Sequence, residues 1–181
     1  MDPLIIIQKY YKVDSKSYQI LVEHSRAVSN KAIEIAKNVP QLNPDLKFIE
    51  EAAMLHDIGI FLTNAPEIDC FGNNQYICHG YLGRKILEKE GFPKHALVCE
   101  RHVGVGISGK DIEEQKLPIP KREMIPVSIE EEIICFADKF FSKNEGFLSK
   151  EKNIDKIRTG LIKFGNDKVK VFDEWIKEFR Y

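Results

Sequence analysis

Histidine and aspartate side chains are the residues of this chain best suited to chemistry. Five histidines occur, at His24, His56, His79, His95 and His102, and four of them sit on or at the ends of apolar helical stretches. A single histidine in such a place is ordinarily a satisfied core residue. Several together are harder to satisfy, because each buried imidazole needs a partner for its ring nitrogens. A metal ion provides partners for all of them at once.

The strongest local feature is Ala52-Ala53-Met54-Leu55-His56-Asp57-Ile58-Gly59, an apolar helix that delivers His and Asp side by side before a glycine. Consecutive helical residues point about 100° apart, so both can face one atom only where the helix is ending, and Gly59 is read as that terminator. Imidazole offers one lone pair to one cation, whereas a carboxylate can bridge two. The pair therefore suits one or two divalent metals. Glu23-His24-Ser25-Arg26 lies one helix earlier and Phe136-Ala137-Asp138-Lys139 several elements later. Asp138 falls within a strongly apolar helix, where an unpaired carboxylate is costly; a surface position is the alternative reading.

The order His, His-Asp, distant Asp, each on its own helix, resembles the HD-domain superfamily of metal-dependent phosphohydrolases over about residues 15–142. His56-Asp57-Ile58-Gly59 matches the superfamily's HDIG variant letter for letter, and Glu23-His24-Ser25-Arg26-Ala27-Val28 resembles its first motif. Arg101-His102-Val103-Gly104-Val105-Gly106-Ile107 is similar to a subgroup of stand-alone HDIG proteins. The resemblance implies an all-α fold and gives meaning to His79 and His102, which lie between the HD pair and the last Asp as in dinuclear members. It implies that His24, His56, Asp57 and Asp138 hold one metal, and that Asp57 bridges to a second held by His79 and His102. His56 and Asp57 carry the catalytic role in that scheme, and His95, which matches no motif position, is expected at the surface.

Two divalent cations with two carboxylates leave such a pocket near +2, which favours an anionic substrate and an acidic water. Imidazole and carboxylate ligands accept iron, manganese, cobalt, nickel or zinc without choosing among them. The expected function is hydrolysis of a small phosphorylated metabolite, of nucleotide type, as a phosphomonoesterase or phosphodiesterase using a metal-activated water. A di-iron oxygenase on the same ligands and a non-catalytic metal- or nucleotide-binding regulatory module are the alternatives. One departure from the resemblance stands out. Many two-metal members carry Lys or Arg where this chain has Ile60, and that side chain would contact phosphate. Arg26, Arg101 and Lys139 each adjoin an expected ligand and are the candidates to supply the charge, with solvated surface as the alternative for each.

The elements that must position these residues read as helices joined by loops. Apolar residues recur at helical spacing from about Ser15 to Val39; Asn43-Pro44 opens a helix to about Asp57; others cover about Tyr76 to Glu90 and Pro93 to His102. Ser128-Ile129-Glu130-Glu131 matches a capping box, and stretches at about 151–164 and 167–179 complete an all-α chain. Residues 104–126 read as a long loop. Gly104-Val105-Gly106-Ile107-Ser108-Gly109-Lys110 fits phosphate-loop spacings on paper, but no buried strand precedes it and Asp111 stands where a Mg²⁺-binding hydroxyl belongs; a rim to the metal pocket is the better account.

The 181 residues carry 27 Lys+Arg against 28 Asp+Glu, a formal charge of −1, which removes a general electrostatic case for extended nucleic acid or acidic membrane as partner. The length suits one domain over 1–181. No apolar run approaches the roughly 18–20 residues that span a bilayer. The four cysteines show no paired spacing, so reduced thiols and a cytoplasmic location are expected. The two C-terminal helices could cover the pocket or form a homodimer face, and the sequence leaves both open.

Overall fold

The computed structural model describes residues 1–144 and 147–181. Its architecture is all-α. In chain order the helices are α1 (Pro3–Tyr10), α2 (Lys16–Asn38), α3 (Leu46–Leu55), α4 (His79–Lys89), α5 (Pro93–Arg101), α6 (Gly109–Glu114), α7 (Ile129–Asp138), α8 (Ile154–Leu161) and α9 (Asn166–Glu178). A single antiparallel ribbon, β1 (Asn64–Ala65) with β2 (Cys70–Phe71), pairs Asn64 with Phe71 and Ala65 with Cys70. No described helix is long and apolar enough to cross a membrane.

Helix starts follow side-chain capping. Ser15, Asp45, Ser108, Ser128 and Asn153 each accept a backbone N–H of the helix they precede. Helix α3 begins two residues later than its Asn-Pro pair suggests, because Asn43 takes a left-handed turn (φ 51°) and Asp45 becomes the cap. At Ser128 only half of the capping box forms. Glu131 instead accepts the Val127 N–H at 2.8 Å and both oxygens receive Arg101 at 2.9 Å. The stretch read as a long loop contains α6, closed by a full box between Ser108 and Asp111. That box places the Asp111 carboxylate on the helix N-terminus where a bound phosphate would otherwise sit.

Two apolar clusters hold the elements. One gathers Val28, Ala32, Ile35, Ile49, Ala52, Ile133, Phe136, Phe140, Phe172, Trp175 and Phe179 from α2, α3, α7 and α9 and the turn after α7. Its centre is Phe136, whose ring meets Phe140, Phe172 and Phe179 at 5.0–5.3 Å. The other gathers Ile6, Ile7, Leu21, Leu55, Ile58, Ile60, Leu87 and Cys99. Helix α2 contributes to both, and its His24 falls between Leu21 of one and Val28 of the other. His56 likewise falls between Ala53 and Ile58, so the seam between the clusters carries the polar residues.

Gly59 is not a left-handed helix terminator; its φ of −83° is right-handed and open to any residue. Its requirement is space. A Cβ there would lie 2.2 Å from the His79 carbonyl oxygen and 2.5 Å from the Gly83 nitrogen, and a Cβ on Gly83 would lie 2.2 Å from Cys99 Sγ. Helix α4 thus rests directly on the turn after α3 and on α5. Tyr11 fixes that turn from the other side, donating to the Ile58 carbonyl at 2.9 Å and accepting the Phe61 N–H at 3.2 Å.

Gly59→Ala is expected to cost about 1–3 kcal/mol, the usual range for overpacking, and to lower the thermal midpoint by roughly 2–4 °C per kcal/mol. Differential scanning calorimetry checks it. Glu132 on α7 is half-buried, and burial together with the Glu178 carboxylate pushes it up to about 7 from 4.5. An acid with a raised folded pKa binds its proton better when folded, so its contribution to stability falls as pH rises between those values and is flat above them. Glu132→Gln is therefore expected to raise the thermal midpoint at pH 8 more than at pH 5.

Candidate metal centre

Six side chains from five elements, one helix interior and four helix ends or turns, converge on one buried point. His24 projects from α2. His56 and Asp57 lie in the turn after α3, His79 opens α4, His102 follows α5, and Asp138 closes α7. The helix of the HD pair ends at Leu55, and Ile58 N–H bonds the Leu55 carbonyl at 3.0 Å, so the chain tightens there. This tightening lets neighbouring residues face one another, with His56 Nε2 3.1 Å from Asp57 Oδ2.

The donor atoms form two sets that share Asp57. In the first, His24 Nε2 lies 3.1 Å from Asp138 Oδ1 and 3.3 Å from Asp57 Oδ2, and His56 Nε2 lies 3.5 Å from Asp138 Oδ1. In the second, His79 and His102 Nε2 are each 3.4 Å from Asp57 Oδ1 and 3.1 Å from each other. Within each set the donor atoms all lie within 4.8 Å of one another, and every residue is buried. Ligands bound at about 2.0–2.2 Å to one ion sit roughly 3.0–3.5 Å apart, which is the spacing of the close pairs here.

The protonation pattern fits a cation. Nδ1 of His56, His79 and His102 donates to the carbonyls of Ala53, Tyr76 and Cys99 at 2.6, 2.6 and 2.7 Å, in each case three residues earlier. Such a bond fixes the tautomer and turns the Nε2 lone pair outward. Burial drives His79 down to about 3 and lowers His102, so two bare lone pairs face each other across 3.1 Å. Burial also pulls on His56, yet Asp57 and then Asp138 outweigh it and hold it at about 9. Their carboxylates demand positive charge at that nitrogen, from a proton or a metal. Asp57 and Asp138 lie well below the carboxylate range against their burial, Asp57 through His56 and Lys143, Asp138 through Lys139 and His24. His56 Nε2 and both Asp57 oxygens make no hydrogen bond of good geometry. The clustered His and Asp donors fit divalent metal binding.

The three cations expected to contact substrate part company. Lys139 is at the centre, with Nζ 2.9 Å from Asp138 Oδ2 and 3.3 Å from the His102 carbonyl oxygen. This ammonium offsets an acid placed at the C-terminal end of α7, where the helix dipole disfavours it. Arg26 lies exposed on α2, two residues and about 200° from His24. Arg101 is held by Glu131. His95 is half-buried rather than at the surface, edge-on to Phe48 and Phe92 at 4.9 and 5.7 Å, with Nε2 3.4 Å from Glu51.

Two residues at the centre were not anticipated. Lys143 Nζ stands 2.6 Å from Asp57 Oδ2, and the Tyr76 ring lies 4.7 Å from His79 and 6.0 Å from Lys143 Nζ. Lys143 follows Asp138 by five residues in irregular chain, so no periodicity marks it. The buried thiols of Cys99 and Cys135 donate to the carbonyls of His56 and His102 at 2.9 and 3.2 Å, tying two ligand backbones to neighbouring helices. All four cysteines are free.

The HD domain family pattern matches residues 21–142, a stretch that includes all six donors. The chain is 33% identical over 140 residues to an uncharacterized protein of Methanocaldococcus jannaschii, covering 76% of this chain and 72% of that one. It is also 32% identical over 133 residues to a tRNA (cytidine(56)-2'-O)-methyltransferase of Thermoplasma volcanium, and 31% over 142 residues to the enzyme of that name from Picrophilus torridus. It spans only 34% and 36% of those two proteins. No solved structure matches the chain at a significant level.

Elemental analysis of protein reconstituted with Mn²⁺ or Co²⁺ is expected to give two equivalents of metal. The paired His79→Ala/His102→Ala variant should retain one, and Asp57→Ala should lose both. Arg101→Ala should keep the wild-type stoichiometry while lowering thermal stability.

Proposed function

The chain belongs to the HD-domain family, and on that premise we propose that it is a metal-dependent phosphohydrolase acting on a small phosphorylated metabolite of nucleotide type. The carrying observation is the shared Asp57. One carboxylate oxygen faces His24 and His56, and the other faces His79 and His102. Such sharing gives two adjacent positions for positive charge, the arrangement suited to the two ends of a phosphoryl displacement.

His24, His56, Asp57 and Asp138 would hold one divalent ion, and Asp57, His79 and His102 the other, with iron, manganese, cobalt, nickel and zinc all compatible. Ions bound there supply Lewis acidity toward phosphoryl oxygens and lower the pKa of water toward neutrality. The protein's own part is to orient and to exclude solvent. The Nδ1 bonds to Ala53, Tyr76 and Cys99 lock three imidazoles in the ligating tautomer. Lys139 fixes the Asp138 carboxylate by one oxygen and leaves Oδ1 toward His24 and His56. Burial of every donor keeps the local dielectric low, which strengthens attraction for an anionic substrate. Two lysines beside two carboxylates add to that attraction. No side-chain nucleophile is required, since a hydroxide suffices for in-line attack.

The two relatives named as methyltransferases are nearly three times as long as the shared stretch.

Metal-loaded protein is expected to release phosphate or cleave a diester within a panel of nucleotides, sugar phosphates and chromogenic esters. Chelation should remove the activity and Mn²⁺ or Fe²⁺ restore it, while Asp57→Asn should lower kcat at least 100-fold. A fully loaded wild-type protein inert across the panel contradicts the proposal. Oxygen uptake with a polyol or phosphonate under ferrous conditions would favour an oxygenase, and nucleotide binding without turnover a regulatory module.

A further inference from the structure

Position 60 holds an isoleucine and provides no cation at the donors. Ile60 has no exposed surface and packs in the apolar cluster with Leu55, Ile58 and Leu87. Its position therefore serves the core. Lys139 is committed to Asp138 and to the His102 carbonyl, Arg101 to Glu131, and Arg26 points to solvent from the far side of α2.

We propose that Lys143 is the residue that anchors the substrate phosphate, its ammonium entering the centre from the chain after α7. This rests on the phosphohydrolase reading above and names the residue that grips the anion at the same site. Three observations carry it. Lys143 Nζ reaches the shared carboxylate, 2.6 Å from Asp57 Oδ2, on the side of that oxygen's neighbours His24 and His56. Its side chain is 14% exposed where that of Asp57 has no exposure, so of the two the lysine is the one within reach of solvent. Tyr76, 37% exposed, stands beside His79 with its ring 6.0 Å from Lys143 Nζ.

Asp57 Oδ2 is also an expected metal donor, and an ammonium and a divalent ion repel one another at contact distance. An ion held by His24, His56, Asp57 and Asp138 would turn the Lys143 ammonium outward on its flexible four-carbon stem. Turned so, it would still stand beside the donors, where an anion bound to them could meet it. The same lysine is thus a weak competitor for metal at Oδ2 and a partner for the anion once metal is bound. Lysine suits this double duty as a compact point charge with rotatable donors.

The test uses full-length protein loaded with Co²⁺, with inorganic phosphate as the probe and the visible cobalt spectrum as the readout. Lys143→Gln is expected to weaken phosphate binding at least tenfold and to bind cobalt as tightly as wild type or several-fold tighter, at unchanged stoichiometry. Lys143→Arg should bind phosphate within about threefold of wild type. Lys143→Met, which keeps the stem, should behave as Lys143→Gln and guards against a folding defect of the glutamine variant. Wild-type phosphate affinity in Lys143→Gln and Lys143→Met, or cobalt affinity reduced tenfold in both, overturns the assignment while leaving the phosphohydrolase reading intact. Failure of cobalt-loaded wild type to bind phosphate at millimolar concentration overturns both together.

Discussion

A carboxylate with no accessible surface and no well-formed hydrogen bond cannot persist in a folded chain unless positive charge stands against it. Asp57 is such a group, fully buried among four imidazoles and one ammonium. Leaving a buried charge uncompensated costs several kcal/mol, on the order of 3–5. The arrangement around it follows from that constraint. Each oxygen meets two ring nitrogens, and the nitrogens of His79 and His102 are themselves turned toward each other, a placement that repels in the absence of an intervening cation. The protein has thereby built a pocket in which a divalent ion resolves the electrostatic conflict of its own side chains.

Apart from His24 on the face of α2, the fold supplies this pocket through helix ends. Ala53 and Cys99 lie in the final turns of α3 and α5, where carbonyls lose their helical partners. The Nδ1 groups of His56 and His102 fill that role. One imidazole thus closes a helix with one nitrogen and faces the centre with the other. Close backbone packing brings the ends together. Gly59 and Gly83 let α4 sit on the turn of the HD pair, and Cys99 packs against Gly83 while its thiol donates to the His56 carbonyl. A side chain at either glycine would push His79 away from Asp57. Core and centre are therefore not separable, and the apolar clusters on either side of the seam fix the ligand spacing.

Much of this was legible in the residues. His56 and Asp57 announce themselves by adjacency at the end of an apolar helix, and the ordered His and Asp positions around them, read through a family resemblance, lie clustered in the structure. Helix α2 and the helix after Ser128 carry long apolar periodicities and were readable to within a residue or two. Short elements were not. Helix α1 has eight residues and α6 six, too few for a period to emerge. Adjacency misled for the substrate-facing cations. Arg26 and Arg101 neighbour ligands in sequence, but helical rotation carries one to solvent, and the partner of the other, Glu131, lies thirty residues away. Lys143 was hidden for the converse reason: it reaches Asp57 from irregular chain, where no pattern ties a residue to a face. Gly59 was read as a terminator because sequence shows small size without showing what needs the space.

The proposed centre turns on a single carboxylate serving two cations. The most direct measurement is an anomalous-difference map at the absorption edge of cobalt or manganese from crystals of the reconstituted protein. The expected result is two peaks flanking the Asp57 carboxylate, one amid His24, His56 and Asp138 and the other between His79 and His102. A lone peak away from Asp57, or density for metal only at the protein surface, would contradict it.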